Sequence, residues 1–315
     1  MVAIAVLDDY QQVALRMADW SGLKAHHEIR VFTRPFGSPD EAAAALAGFE
    51  VVCAMRERTP FPAALFGRLP RLKLLVTTGQ RNAAIDMDAA RAHGVMVCGT
   101  PSPAHATAEL ALGMMIALSR RLGEESRNMQ EGRWQTTLGR DLKGRTLGLL
   151  GLGRLGGQMA GFALALGMSV IAWSENLTPD AAAAHGATRV DKDGLFSASD
   201  VLSIHTKLSR RTTGIVGARE IALMKPDAIL INTSRGPIVD TATLIAALER
   251  GHLAGAGIDV YDEEPLPADH PLRSAPRTML TPHIGYVTEE TYRIFYGGTV
   301  TAIEAWLAGR PVMVL

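Results

Sequence analysis

The run AILINTSRGPIVD, residues 228–240, carries a buried-strand pattern from Ala228 to Ile231. It continues straight into Asn232, Thr233, Ser234 and Arg235, and Gly236 and Pro237 end it. A guanidinium is always charged and costly to leave unpaired beside a buried strand, so Arg235 implies an anion. Downstream, AGAGIDVYDEEPLP closes a second strand-like run with Asp259, Asp262, Glu263 and Glu264 before Pro265. TMLTPHIGY closes a third with His283. Together, an arginine, a carboxylate and an imidazole at successive strand ends suit carboxylate binding and proton transfer, with the acid orienting the base. Each also has a plainer reading: a surface ion pair, a solvated loop acid, a hydrogen-bonded turn residue.

A second signal is TLGLLGLGRLGGQMAGFALALG, with Gly151, Gly153 and Gly156 in G-x-G-x-x-G spacing. An apolar run precedes it, a helix-forming stretch follows, and another strand run stands at 169–173. In that context the glycines permit a tight turn, close backbone approach to a pyrophosphate and helix-on-strand packing, which predicts dinucleotide binding. Arg154 inside the turn is a candidate phosphate contact or a solvated arginine. An acid is expected at the end of the second strand to hold the ribose hydroxyls. Here AWSENLT puts Ser174 in that place and Glu175 next to it. Ser174 is permissive toward a 2′-phosphate, but Glu175 and Asn176 are not phosphate partners. Lys207, Arg210 and Arg211 beyond the third strand are either a source of positive charge there or a solvated basic turn. The reading favours NAD, with Glu175 in the displaced acid's role, and NADP as the alternative.

These groups need elements to hold them. Strand runs are expected at 2–7, 28–33, 49–55, 72–77 and 95–98, then at 146–151, 169–173, 201–205, 228–232, 255–260 and 278–282. Helix-like pieces such as PDEAAAALAG and DMDAARAHG alternate with them, the pattern of parallel α/β units. A chain of 315 residues suggests two domains. Hydrophobic residues at 47% supply ample core, and 32 basic against 32 acidic residues give no pull toward nucleic acid or an anionic membrane. LALGMMIAL at 110–118 is far shorter than a membrane span. MVAIAVLDDY has no basic lead, which argues against a signal peptide. Cys53 and Cys98 lie in apolar runs and read as reduced core thiols. The expectation is a cytoplasmic protein. A helix over 104–122 is apolar on most sides, and a last helix spans roughly 288–309.

The motifs LKGRTLGLLGLGRLG, DVLSIHTKLSRRTTGIVG, MKPDAILINTSRGPIVD, GIDVYDEEPL and LTPHIGY, in that order, resemble those of the D-2-hydroxyacid dehydrogenases over essentially the whole chain. The resemblance implies two Rossmann-like, doubly wound parallel-sheet domains: a flavodoxin-like substrate domain, 1–98 plus 287–315, and an NAD-binding Rossmann domain, 99–286. It implies Arg235, Glu264 and His283 as the catalytic set. It sets Gly151, Gly153, Arg154, Leu155 and Gly156 at the pyrophosphate, Ser174 and Glu175 at the ribose, His205, Thr206 and Thr233 along the cofactor, and Asp259 near the nicotinamide amide. TTGQRNAAID resembles the family's substrate loop, with backbone amides near Thr78 and Gly79 facing a carboxylate. MRERTP resembles the phosphoglycerate dehydrogenase branch, in which the arginines matching Arg56 and Arg58 approach the substrate. The loop departs from the family at Gln80, Arg81 and Asn82, and Lys207 replaces a common proline.

The implied reaction is hydride transfer between a nicotinamide and C2 of a small 2-oxo or 2-hydroxy acid. Arg235 would grip the carboxylate with its planar fork, and His283 would exchange the proton on the C2 oxygen. Glu264 would orient the imidazole and support its charge. Two domains joined near residues 99 and 286 would close to exclude water. No metal is implied. The other class kept open is an NAD(H)-sensing, corepressor-like binding protein on the same fold. Formate dehydrogenase, a relative that pairs its histidine with a glutamine, fits less well because Glu264 is an acid. A homodimer built on the 104–122 helix is expected, burial of that helix within one chain being the alternative.

Overall fold

The protein is described from a computed structural model, residues 1–103 and 105–315. Ala104, where the long helix was expected to begin, lies outside the described residues. The chain forms two compact units, Met1–Pro103 with Val287–Leu315, and Ala104–Tyr286.

The first unit holds five parallel strands: β1 (Ala3–Val6), β2 (Glu28–Val31), β3 (Val51–Ala54), β4 (Leu74–Thr77) and β5 (Met96–Gly99). Their order is β2-β1-β3-β4-β5, the flavodoxin-like arrangement, with the order reversing between β1 and β3. Every residue of β3 and β4 is buried, as expected of central strands covered by helices on both faces. The helix Pro39–Leu46 starts on Ser38, whose hydroxyl accepts from Glu41 N, with Pro39 in the first turn. The closing helix, Glu289–Leu307, is capped the same way by Thr288 and buries Tyr292, Phe295, Tyr296 and Val300. Cys53 and Cys98 are free and buried.

The second unit holds seven parallel strands: β6 (Thr146–Leu150), β7 (Ser169–Trp173), β8 (Thr188–Arg189), β9 (Val201–Ile204), β10 (Ile229–Asn232), β11 (Gly255–Ile258) and β12 (Thr278–Leu280). Their order is β12-β11-β10-β9-β6-β7-β8, so the sheet reverses between β6 and β9. Alternate residues of one strand enter different cores: Leu230 packs with Leu202 and Ile258, whereas Ile229 and Ile231 pack with Leu149 and Met159. Both faces are therefore apolar, and each such side chain contributes about 1.5–3 kcal/mol by burial.

The helix expected at 104–122 is two helices. His105–Ser119 ends before Arg121, whose left-handed backbone (φ +52) opens a second helix, Leu122–Gln130. Ala108, Ala111, Met114 and Met115 of the first are buried against Leu147, Leu149, Ile229 and Ile231 of the same unit. Small residues in β11 allow this: a Cβ on Gly257 would stand 3.1 Å from Met114 Sδ. Much of the apolar character of that helix thus belongs to this unit's own core, the alternative that the sequence left open.

Candidate functional site

The site lies where the second unit's strands end. β6 leads into Gly151, whose φ of +97 only glycine adopts readily. A Cβ there would stand 2.8–2.9 Å from the His205 carbonyl group and Thr206 N. Gly153 begins the helix Arg154–Ala165 with no side-chain cap among the described residues, and no described atom lies within 4 Å of a Cβ built on it. Gly156 is the reverse, since a Cβ would stand 2.3 Å from Gly151 O. The three glycines divide the work: the first and third pack backbone on backbone, and the second leaves an open approach to a helix N-terminus. Such a terminus, with its unsatisfied amides and dipole, suits a pyrophosphate. Arg154 is exposed beside it and Leu155 half-buried.

Around this turn stand the other cofactor candidates. The Thr233 hydroxyl is buried with no hydrogen-bond partner among the described residues, a polar atom that a bound ligand would satisfy. His205 Nε2 shares a 2.8 Å hydrogen bond with Ser203 Oγ, and burial pushes its imidazole down to about 4, so the ring is neutral at physiological pH. Thr206 O accepts from Ser234 Oγ, tying the end of β9 to that of β10. Ser174 is half-buried just past β7 and Glu175 is exposed. An open, uncapped helix start, a partnerless buried hydroxyl and an acid past β7 fit a dinucleotide.

Asn232 shapes the turn that presents Arg235. Its Oδ1 accepts from Ser234 N at 3.0 Å and its Nδ2 donates to Arg235 O at 2.9 Å. Gly236 follows because a Cβ there would lie 2.1 Å from the Tyr261 carbonyl carbon. Arg235 is partly buried, and its Nη1 donates to Ser234 O at 2.7 Å.

His283 Nδ1 and Glu264 Oε2 are 2.6 Å apart, and the carboxylate's other oxygen accepts from Tyr261 N at 2.9 Å. Burial pushes the Glu264 carboxyl up, but the His283 hydrogen bond and charge, the Tyr261 N–H and the Arg235 charge outweigh it and hold it below its usual range. The Arg235 charge therefore acts in the same direction as His283 on this carboxyl. His283 has left-handed backbone (φ +53) in the turn 281–285. Fully buried Asp259 clamps that turn. Its Oδ1 accepts from Thr281 Oγ1 at 2.6 Å and Ile284 N at 2.8 Å, and its Oδ2 accepts from Gly285 N at 2.9 Å. Burial pushes the Asp259 carboxyl up against the opposing effect of these bonds. The resemblance set Asp259 beside the cofactor; its observed partners make it the support of the histidine turn.

Tyr261, Thr281 and Asn232 escaped the sequence reading, as did Thr107, whose hydroxyl donates to Gly285 O at 2.9 Å. Tyr261 had a signal of sorts, lying inside the motif GIDVYDEEPL that contains Glu264. Thr107, 178 residues from its partner, had none.

In the first unit, Arg56, Thr78 and Gly79 meet at the ends of β3 and β4. Arg56 N donates to Thr78 Oγ1 and its Nη1 to Thr78 O, both at 2.9 Å. The two amides expected to face a carboxylate are already donating, Thr78 N to Ala54 O at 3.1 Å and Gly79 N to Thr100 Oγ1 at 2.9 Å. Those hydrogens are thus engaged within the unit. Among the described residues no three His, Cys, Asp or Glu side chains group as a metal ion requires, and no helix is long and apolar enough to cross a membrane.

Residues 112–285 match the family model of the D-isomer specific 2-hydroxyacid dehydrogenase, NAD binding domain. The chain is 39% identical over 236 residues to a glyoxylate reductase of Thermococcus litoralis, covering 72% of this chain and 71% of the relative. It is 30% identical over 307 residues to a hydroxypyruvate reductase of Blautia hydrogenotrophica, covering 94% of each. A phosphoglycerate oxidoreductase of Vibrio cholerae O395 superposes with a TM-score of 0.93 at 34% identity, covering 98% of this chain and all of that one.

Proposed function

Because this chain belongs to the D-isomer specific 2-hydroxyacid dehydrogenase family, we propose that it reduces a small 2-oxo acid of the glyoxylate or hydroxypyruvate class, with Arg235, Glu264 and His283 as its working residues. NAD supplies or accepts the hydride when bound. Arg235 holds the substrate carboxylate with its planar fork and supports charge growing on the C2 oxygen. His283 donates a proton to that oxygen in reduction and takes it back in oxidation. Glu264 keeps the imidazole ring turned by its Nδ1, leaving Nε2 for the substrate. The observation that carries this reading is the 2.6 Å Glu264–His283 pair.

NAD is the proposed cofactor in preference to NADP, with Glu175 repelling a 2′-phosphate. The unit Ala104–Tyr286 is the proposed dinucleotide-binding domain. The proposed assembly is a homodimer. Its support is the exposed apolar set Leu122, Met129, Trp134 and Leu138, of which Trp134 is 72% and Leu138 92% exposed. A cytoplasmic setting agrees with two free, buried cysteines.

The deciding experiment is a turnover screen of glyoxylate, hydroxypyruvate, pyruvate and phenylpyruvate with NADH and NADPH, on wild type and Glu175→Ala. Reduction of at least one acid with NADH preferred, and a ratio moving toward NADPH in the variant, is expected. No turnover of any 2-oxo acid would refute the reading, and an NADPH preference in wild type would refute the cofactor choice.

A further inference from the structure

Two glycines decide how close the helix His105–Ser119 comes to β11 within the second unit. A Cβ on Gly255 would stand 3.3 Å from Leu118 Cδ2, and one on Gly257 3.1 Å from Met114 Sδ, so the helix lies directly on the strand there. Alternate residues of a strand share a face, which sets Asp259, next in that series, on the helix side. On the helix, Thr107, Ala111, Met114 and Leu118 recur at the spacing of a single stripe. Leu118 meets the start of the strand and Met114 a point further along it, so helix and strand run in opposite directions. The same stripe therefore delivers Thr107 to the strand's end.

There Thr107 and Asp259 hold one glycine between them. Thr107 Oγ1 donates to Gly285 O at 2.9 Å, and Gly285 N donates to Asp259 Oδ2 at 2.9 Å. A Cβ on Gly285 would stand 3.1 Å from both Thr107 Cγ2 and Asp259 Oδ2, so the residue is enclosed on two sides. A helical threonine ordinarily bonds a carbonyl one turn back. Thr107 gives its single proton to a residue 178 positions away instead. Gly285 closes the turn that opens at Thr281, whose carbonyl accepts from His283 N at 3.0 Å. His283 stands between them with left-handed backbone, a conformation that persists outside glycine only where the surroundings enforce it. Asp259 fixes the amides of this turn; Thr107 fixes the carbonyl by which the chain leaves it.

We propose that Thr107 is a positioning residue for His283: through Gly285, its hydroxyl keeps the turn in the one setting in which Nδ1 meets Glu264 at 2.6 Å. The proposal rests on the reading that His283 moves the proton. It adds that the helix, as well as the strand ends, sets the place of the imidazole. Proton transfer needs hydrogen-bond reach, and a misplacement of about 1 Å costs up to about a hundredfold in rate. Arg235 is presented by the Asn232 turn and the dinucleotide turn by β6, so neither depends on this bond.

Thr107→Ala and Thr107→Ser differ by one oxygen, and the test compares them. With NADH and glyoxylate or hydroxypyruvate, Thr107→Ala is expected to lower kcat by about fivefold or more at a KM within about twofold of wild type. Thr107→Ser should stay within about twofold in both, and calorimetric NAD affinity should stay within about twofold in either variant. Proton NMR follows the Nδ1 hydrogen of His283, assigned by its loss in His283→Gln. It should exchange with water at least about fivefold faster in Thr107→Ala and at the wild-type rate in Thr107→Ser. Wild-type kcat or wild-type exchange in Thr107→Ala overturns the proposal. A serine variant as impaired as the alanine also overturns it, by assigning the effect to the methyl group. Lost NAD affinity with unmoved exchange does so by assigning Thr107 to the cofactor. If wild type reduces neither acid, exchange decides alone: faster in the alanine variant only, it upholds the positioning role while the proposed reaction falls; unmoved, it sinks both.

Discussion

Glu264 and His283 share a 2.6 Å hydrogen bond across 19 residues of sequence, with the carboxylate pinned at its far oxygen by Tyr261 N–H. The histidine itself sits in a left-handed turn that Asp259 clamps from beneath. His283→Ala should lower 2-oxo acid reduction by at least about a hundredfold, the usual worth of a positioned acid. NAD affinity by calorimetry should stay within about twofold, because the dinucleotide turn does not depend on the ring. The pH dependence follows from Glu264, whose carboxyl is held below the usual 4.5. As pH falls through that lowered value the carboxylate protonates and the acceptor of the pair is lost. Wild-type pH–rate profiles should therefore carry an acid step below 4.5 that is missing from Glu264→Gln. A hundredfold effect absent at His283, or identical acid limbs, would contradict the assignment.

Arg235→Lys keeps the charge and loses the fork. An ammonium cannot meet a carboxylate with two parallel N–H bonds, so kcat/KM should fall by about tenfold or more, in both KM and kcat. A variant within twofold of wild type would show that Arg235 does not grip the acid.

The two helix-start glycines should respond in opposite ways to alanine. Gly156→Ala forces a methyl to within 2.3 Å of the Gly151 carbonyl oxygen, and overpacking of that kind costs about 1–3 kcal/mol. A fall in melting temperature should follow without any ligand present. Gly153→Ala meets open space, so its melting temperature should match wild type while NAD affinity drops, because the methyl occupies the approach to the helix N-terminus. If Gly153→Ala binds NAD normally, the pyrophosphate does not pass there.

His205 gives the fold an acid sensitivity. Burial pushes its imidazole from 6.5 down to about 4. Between those values the unfolded chain binds a proton that the folded chain does not, so stability is full above 6.5 and is lost as pH falls through the window toward 4. His205→Gln should flatten the melting temperature across that range relative to wild type. Parallel curves for the two proteins would mean that the ring is not held neutral.

The exposed apolar segment can be tested by mass. Light scattering at micromolar concentration should give twice the chain mass for wild type, and Trp134→Glu with Leu138→Glu should shift it to the monomer. A monomeric wild type would remove the proposed dimer.

Much of the architecture was written in local chemistry. Buried parallel strands are short continuous apolar runs, so VVCA, LLVT, VLSI and ILIN declared themselves, and G-x-G-x-x-G between a run and a helix declared the dinucleotide turn. The strand β8 did not, because Thr188–Arg189 is two exposed residues that become a strand only by pairing with Ile171 and Ala172. The helix break at Arg121 was equally silent: nothing in SRRLG demands a left-handed residue until neighbouring elements are in place. At the site, the sequence showed the kinds of group at each strand end, since an arginine, an acid and a histidine after apolar runs need a reason to be there. It could not show that Tyr261 N–H pins Glu264, that Asp259 carries the histidine turn, or that Arg56 and Arg58 donate to Thr78 O and Asp8 O. Hydrogen bonds depend on ångström-scale placement of groups far apart in the chain, and only the folded sheet edges bring Asp8 to Arg58 and Thr107 to Gly285. Residue type sets what a group can do; tertiary structure decides which partner it is left to do it with.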